Sequence, residues 1–175
     1  SINHDYGRQA GRGGVGTVMG NKKVKAIVVH GTKSVEVADL DGYRKAGMAL
    51  FKACKEAEGL KEWTAYGTTV VTSWCDEVGA LPTRNFSAGS FEDGKTLYGP
   101  HMRKEIVVTD KGCFGCPCPC GKYSFMKRYN SRVEGPEYET IGMMGSNLGV
   151  SEIQDVAEAN RLCDDLGMDT ISTGS

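Results

Sequence analysis

The sequence predicts a mainly helical domain with a small β portion at its N-terminal end. Three observations carry that expectation. Apolar residues recur at three- and four-residue spacing over 40–57 and again over 153–166. A β-branched apolar run, VKAIVVH at 24–30, lies near the start and reads as a buried strand. Glycine fills 24 of 175 positions, about twice its average share, so the backbone must often turn tightly between short elements.

Taken in order, a glycine loop at 11–20 (GRGGVGTVMG) leads into the 24–30 strand, with 35–37 as a short partner after a turn at Gly31. A helix follows over 40–57: Leu40, Tyr43, Gly47, Leu50, Phe51 and Cys54 share a face, Asp39 can cap it and Gly59 can end it. A second helix is expected at 68–78, closed by Gly79 and followed by Pro82. Residues 83–112 read as loop apart from a strand at 106–108, and a Gly/Pro-rich bend, EGPEYET, follows the cysteine-rich stretch. The last helix carries the clearest pattern. Ser151 and Gln154 are spaced as a capping box, Ile153, Val156, Ala157, Leu162, Cys163 and Leu166 share one face, and Gly167 is the expected C-terminal cap.

Composition excludes several classes of partner. A net charge of −1 gives no electrostatic basis for binding nucleic acid or an anionic membrane. No apolar run approaches the roughly 18 residues of a membrane span, and no charged-then-apolar leader opens the sequence. With 39% hydrophobic and 25% charged residues, the chain is long enough for one cored domain. Seven cysteines, an odd number with four inside eight residues, suit a metal in a reducing cytoplasm better than a disulfide framework.

Those four lie in Cys113-Phe-Gly-Cys116-Pro-Cys118-Pro-Cys120-Gly. Thiolates are soft ligands for iron–sulfur clusters, zinc or copper(I). A three-residue step fits two cysteines around a cluster, and a third four residues later can close on another iron. Gly115 and Gly121 let backbone amides approach the sulfides, while Pro117 and Pro119 stiffen the loop. A structural zinc site competes, although zinc ribbons draw on two separated knuckles and no second one is present. A redox dithiol or plain buried thiols fit the spacing less well. Cys113, Cys116 and Cys120 make three ligands where a four-iron cluster takes four, and Cys118 could be the fourth only with a strained loop. Cys54, Cys75 and Cys163 sit on apolar helical faces, where an unreactive buried thiol is the default, so a fourth ligand is expected from outside these residues.

Gly11, Gly13 and Gly16 match G-x-G-x-x-G, with Glu36 about 20 residues on, as a dinucleotide site requires. That fingerprint must follow a buried strand and open a helix, whereas 1–10 is polar and Gly20 leads into a strand. The alternatives are a loop whose amides, with Arg8 and Arg12, cradle a phosphate, or simple tight turning. Among the acids, Glu139 follows Pro136 at the first turn of a short helix, where a carboxylate accepts amide hydrogen bonds. Glu158 and Asp164 ride the last helix. Asp164 and Asp169 flank the helix-ending Gly167, either as two acids converging on a ligand rich in N–H donors or as a helix end followed by an N-cap.

In this order, AGRGGVGTVMGNKKVKAIVV at 10–29, LPTRNF at 81–86, CFGCPCPCG at 113–121, EGPEYET at 134–140 and CDDLGMDTIS at 163–172 resemble the tungsten-containing aldehyde:ferredoxin oxidoreductases. The resemblance spans nearly the whole sequence. It implies that 1–37 is the end of an N-terminal pterin-binding β domain and 38–175 a helical iron–sulfur and pterin-binding domain, incomplete at its C-terminus. Cys113, Cys116 and Cys120 match the family's C-x-x-C-x-x-x-C, whose fourth cysteine belongs to a later domain; Cys118 is extra to that pattern. Asp164 to Asp169 resembles the D-x-x-G-L-D pterin motif, with Met168 in place of Leu, so that Asp164, Gly167 and Asp169 would face the pterin.

Further roles rest on the same resemblance. Ala10 matches the position whose carbonyl holds a Mg2+ ion bridging the phosphates of two pterins, and Gly11, Arg12, Gly13 and Gly14 follow as the cofactor loop. Glu139 resembles the active-site glutamate, desolvated and able to take a proton from water or an aldehyde hydrate. Glu158 resembles a second pocket carboxylate by its six-residue offset from Asp164. The implied cofactors are a [4Fe-4S] cluster, a tungsten or molybdenum bis-pyranopterin and Mg2+. The implied reaction oxidises an aldehyde to a carboxylate and sends electrons to ferredoxin or an iron–sulfur partner subunit, in an oligomeric cytoplasmic enzyme of anaerobes. The family's histidine partner is not matched by His4, His30 or His101. A class II benzoyl-CoA reductase-type tungsten enzyme and an iron–sulfur electron-transfer module without pterin are the competing readings.

Overall fold

The computed structural model describes residues 1–5 and 7–175. It is mixed rather than mainly helical, with two small antiparallel sheets among helices and tight turns. The first sheet is a hairpin of β1 (Ile2–His4) and β2 (Arg8–Ala10), in register Ile2 to Ala10. The glycine loop then opens a short helix, α1 (Val15–Asn21), where a loop was expected up to Gly20. Residues 24–30 form no ladder, and Ile27, Val28 and Val29 are 77–89% exposed. A strand needs a partner for its backbone N–H and C=O groups, and β-branched composition alone supplies none.

Three helices follow: α2 (Leu40–Glu56), α3 (Gly59–Tyr66) and α4 (Val71–Glu77), the last preceded by a 3-10 turn at Gly67–Val70. Asp39 caps α2 as expected, its carboxylate accepting from the Gly42 amide at 2.9 Å. Gly59 does not end that helix but begins the next. The stretch expected to be loop contains α5 (Gly99–Glu105), which opens with Pro100 in its first turn.

The second sheet runs in the order β3 (Val107–Lys111), β4 (Gly121–Met126), β5 (Ser131–Glu134). Its central strand buries Lys122, Ser124 and Met126, a face whose polar members hid the period-two pattern from a hydropathy reading. EGPEYET ends in α6 (Tyr138–Thr140), and a π turn at Ile141–Gly145 and a 3-10 turn at Ser146–Leu148 follow. The chain closes with α7 (Ile153–Leu166) and α8 (Thr170–Thr173). Glu152, rather than Ser151, caps α7, accepting from the Gln154 amide. Gly167 ends it at φ +67°, a conformation glycine adopts without Cβ strain. Leu162 and Leu166, expected on the apolar face, are exposed.

One core joins α4, α5, the β3–β5 sheet, the π turn and α7. Leu81, Leu97, Met102, Met126, Ile141, Ile153 and Val156 are nearly or completely buried and pack together with Phe91, Ile106 and Val133. No described helix is long and apolar enough to cross a membrane.

Candidate functional site

An open cavity of about 730 Å³ lies where the β1–β2 hairpin meets the end of α7, the start of α8 and the cysteine loop. Each contributor is placed by a local rule. Positions 160 and 164 are four apart on α7 and therefore share a face. Asn160 Nδ2 donates to Asp164 Oδ2 at 3.0 Å, and Gln9 Nε2 from β2 donates to Asp164 Oδ1 at 3.3 Å. Burial, with Glu134 and Asp165 nearby, lifts the Asp164 carboxyl to about 6 against the opposing hydrogen bonds from Gln9 and Asn160. Asp169 also lines the cavity while serving as the N-cap of α8: its Oδ2 accepts from both the amide and the hydroxyl of Ser172 at 2.8 Å. The two readings of this acid pair are thus compatible, because a capping carboxylate has lone pairs to spare.

Arg8 on β2 crosses the cavity floor. Its guanidinium contacts Glu134 at 2.8 Å and Glu137 at 3.0 Å. Lys111 also reaches Glu134, whose side chain is 5% exposed, and Thr68 Oγ1 donates to Glu137 at 2.5 Å. A carboxylate buried this deeply needs such cations to offset its lost hydration. Arg8 Nε is buried and has no hydrogen-bond partner among the described residues.

Cys113 reaches the same cavity, which couples the cysteine loop to the acids. Within the loop the Cys116 amide donates to the Cys113 carbonyl at 3.0 Å, closing a turn around Gly115. Cys113 and Cys116 are exposed, whereas Cys118 and Cys120 are half-buried. Burial, chiefly, and then Glu137 push the Cys120 thiol up from its ordinary range. Cys118 Sγ sits 3.6 Å from Thr64 Oγ1 of α3. Among the described residues no three His, Cys, Asp or Glu side chains converge on one point, as a single ion would require. A four-iron cluster makes a different demand, since each thiolate binds a separate iron. Three thiols on a glycine-turned loop, two of them exposed, match that donor chemistry.

The remaining expected residues divide. Glu139 lines the cavity, but it is exposed, so these residues do not supply the expected desolvation. Glu158 does not line it. Six residues of helix rotate a side chain about 240° from Asp164, and Glu158 instead accepts from Arg161 at 2.6–3.0 Å and from Ser131 at 2.6 Å. Arg161 first, and Ser131 after it, hold that carboxyl below its usual range. Cys75 and Cys163 are buried thiols, as expected of their helical faces.

In the glycine loop, Ala10 ends β2 and Gly11 lies against Asp169, close enough that an added Cβ would come 3.1 Å from its carboxylate. Arg12, Gly13 and Gly14 are exposed and outside the cavity lining. The loop does follow a strand and open a helix, contrary to expectation. Its strand, however, belongs to an antiparallel hairpin rather than to a parallel βαβ unit, so the dinucleotide context still fails. Sequence reading missed His4, Gln9, Glu134, Glu137 and Asn160 as cavity residues. Only Asn160 left a signal, its four-residue offset from Asp164.

Residues 45–175 match the family model described as aldehyde ferredoxin oxidoreductase, domains 2 and 3, and residues 1–31 match its N-terminal domain. A tungsten-containing aldehyde ferredoxin oxidoreductase of Pyrococcus abyssi is 43% identical over 171 residues, covering 95% of this chain and 28% of the relative. The protein of that name from Thermococcus kodakarensis is 40% identical over 99% of this chain and 29% of its own length. An aliphatic sulfonate oxidoreductase, WOR-like subunit, of Pyrococcus furiosus is 29% identical over 95% of this chain and 27% of its own. The chain thus spans somewhat more than a quarter of the length of these relatives, and it belongs to the aldehyde ferredoxin oxidoreductase family.

Proposed function

We propose that this chain forms the cluster-side wall and part of the pterin cradle of a tungsten enzyme that oxidises aldehydes to carboxylates. The observation that carries the reading is the shared cavity: Cys113 of the cysteine loop, the acids Asp164 and Asp169, and Glu139 all border one space. A tungsten or molybdenum bis-pyranopterin held there would supply the two-electron redox chemistry, and a [4Fe-4S] cluster on Cys113, Cys116 and Cys120 would carry the electrons on to ferredoxin or an iron–sulfur partner subunit.

The chain's own groups suit the supporting roles. Asp164 and Asp169 would offer acceptor oxygens to ring N–H donors, and the Arg8 guanidinium adds a positive charge to the same lining. The Ala10 carbonyl, at the end of β2, would be the group to hold a Mg2+ ion. In the balanced reaction water supplies the oxygen, and two electrons and three protons leave as the aldehyde becomes a carboxylate. Glu139, which lines the cavity, would accept a proton from water or an aldehyde hydrate.

Metal analysis of the full-length protein tests the reading. Tungsten or molybdenum together with iron and acid-labile sulfide is the expected outcome; zinc alone, or iron without either heavy metal, would sink it. Glu139→Gln should then keep both metals and lower aldehyde-dependent dye reduction by about 10²–10⁴-fold, the usual span of one general base. Unchanged turnover would remove Glu139 from proton transfer. Activity on an aliphatic sulfonate or an aryl-CoA thioester in place of aldehydes would keep the cofactors and reassign the substrate.

A further inference from the structure

The cysteine loop is tied down by a buried cation that the proposed function does not use. Lys122, on β4 two residues beyond Cys120, has a side chain only 3% exposed. Its ammonium has three N–H groups and three partners. They are the carbonyl of Thr64 on α3 at 2.7 Å, the carbonyl of Pro119 in the loop at 3.1 Å, and Asp110 Oδ1 on β3 at 3.0 Å. Asp110 is in turn gripped by Arg103 at 2.8 Å, which also donates to the Ala65 carbonyl. A second contact fastens the same limb independently. Gly67, at φ +65°, lies directly under the Cys120 carbonyl, where a Cβ would collide with the oxygen. Cys118 adds its 3.6 Å contact to Thr64.

Burying a lysine is costly unless every proton is used, and a residue with only a packing role would be satisfied by an apolar side chain of similar length. All three partners here belong to, or directly support, the segment that carries Cys120. We propose that Lys122 is a positioning residue for the iron–sulfur cluster. It clamps the C-terminal limb of the cysteine loop to α3 and β3 and sets a fixed positive charge beside it. This inference rests on the cluster reading above and goes beyond it by naming the group that fixes the loop and biases the cluster electrostatically. Cluster potentials respond to nearby charge and to hydrogen bonding, so a clamp and a charge have separable signatures.

The test uses full-length protein isolated without oxygen, as wild type, Lys122→Met and Lys122→Gln. Iron and sulfide content, the rate of iron loss to a chelator and the cluster's reduction potential are measured, with folding followed by circular dichroism. Glutamine keeps hydrogen-bond donors and loses the charge, whereas methionine loses both. Lys122→Met should release iron at least tenfold faster than wild type, and Lys122→Gln should recover most of that loss. Both variants should show a more negative potential, because each lacks the cation. Wild-type release rates and potentials in both variants would overturn the proposal. So would failure of both to fold, since that would assign Lys122 to general core stability. Absence of iron and sulfide from the wild type would instead overturn the cluster reading itself.

Discussion

Helices α2 and α7 present nearly the same local credentials and meet opposite fates. Each has an acidic N-cap residue that accepts a backbone amide, Asp39 for α2 and Glu152 for α7. Each repeats apolar residues at helical spacing. Yet α7 buries Ile153, Val156, Ala157 and Cys163 within the core, while α2 buries nothing and leaves Tyr43, Met48 and Leu50 at least 65% exposed. The difference lies in neighbours. Alpha-helical hydrogen bonds are internal to the segment, so an amphipathic pattern suffices to draw a helix, but its apolar face contributes to stability only when another surface removes it from water. On α7 that surface is the β4–β5 sheet and the π turn at Ile141–Gly145, and because α7 is thereby fixed, Asn160 and Asp164 can be aimed at the cavity.

The sharpest way to break this comparison is matched truncation. Ile153→Ala, at a fully buried site, should cost about 2–5 kcal/mol in denaturant unfolding of this chain. Leu50→Ala on α2 should change it by less than about 0.5 kcal/mol. Equal losses would mean that α2 is covered after all. Gly67→Ala comes next. Gly67 follows the exposed α3 and touches the cysteine loop, and both its backbone angle and the Cys120 carbonyl oppose a side chain. A destabilisation of about 2 kcal/mol is expected, and a neutral result would loosen the link drawn between the N-terminal helices and the loop.

The smallest effect concerns what α7's fixed position does to Asp164. In the folded chain this carboxyl holds its proton up to about pH 6, whereas an unfolded aspartate releases it near 4. The native state therefore binds the extra proton between those values, and the associated stability is present below about pH 4 and lost as pH rises towards 6. Asp164→Asn should remove that dependence. Its stability relative to wild type should rise by about 1 kcal/mol between pH 4.5 and 7.5, a figure reduced for the solvent screening of a half-buried group. A flat difference would mean that Asp164 is solvated like a surface acid.

Legibility in the sequence followed the range of the forces involved. The helices at 40–57 and 153–166, the Gly167 end and the cysteine loop depend on residues a few positions apart, and their patterns stood in the sequence. The β4 strand did not, because its buried face carries Lys122 and Ser124, polar residues tolerated only through partners distant in sequence. The 24–30 run misled for the converse reason. Its β-branched residues satisfied the composition of a strand, and no neighbouring strand exists among the described residues to complete it. In the site, the acids of the Asp164–Asp169 motif could be singled out by type and spacing, and so could Cys113. Glu158 lies off this cavity because a six-residue offset does not return to the same helical face.

By itself, then, the sequence determined the family, the clustering of the cysteines at 113–120 and the pair of acids around Gly167, since these are matters of residue type at short fixed spacing. Tertiary structure alone decided that Arg8 would span Glu134 and Glu137, that Asp164 would be half-buried, and that Lys122 would lie beneath the cysteine loop. Those outcomes depend on which distant segments meet and on how much water they exclude, and the dielectric around a charge is a property of the packed molecule rather than of its neighbours along the chain.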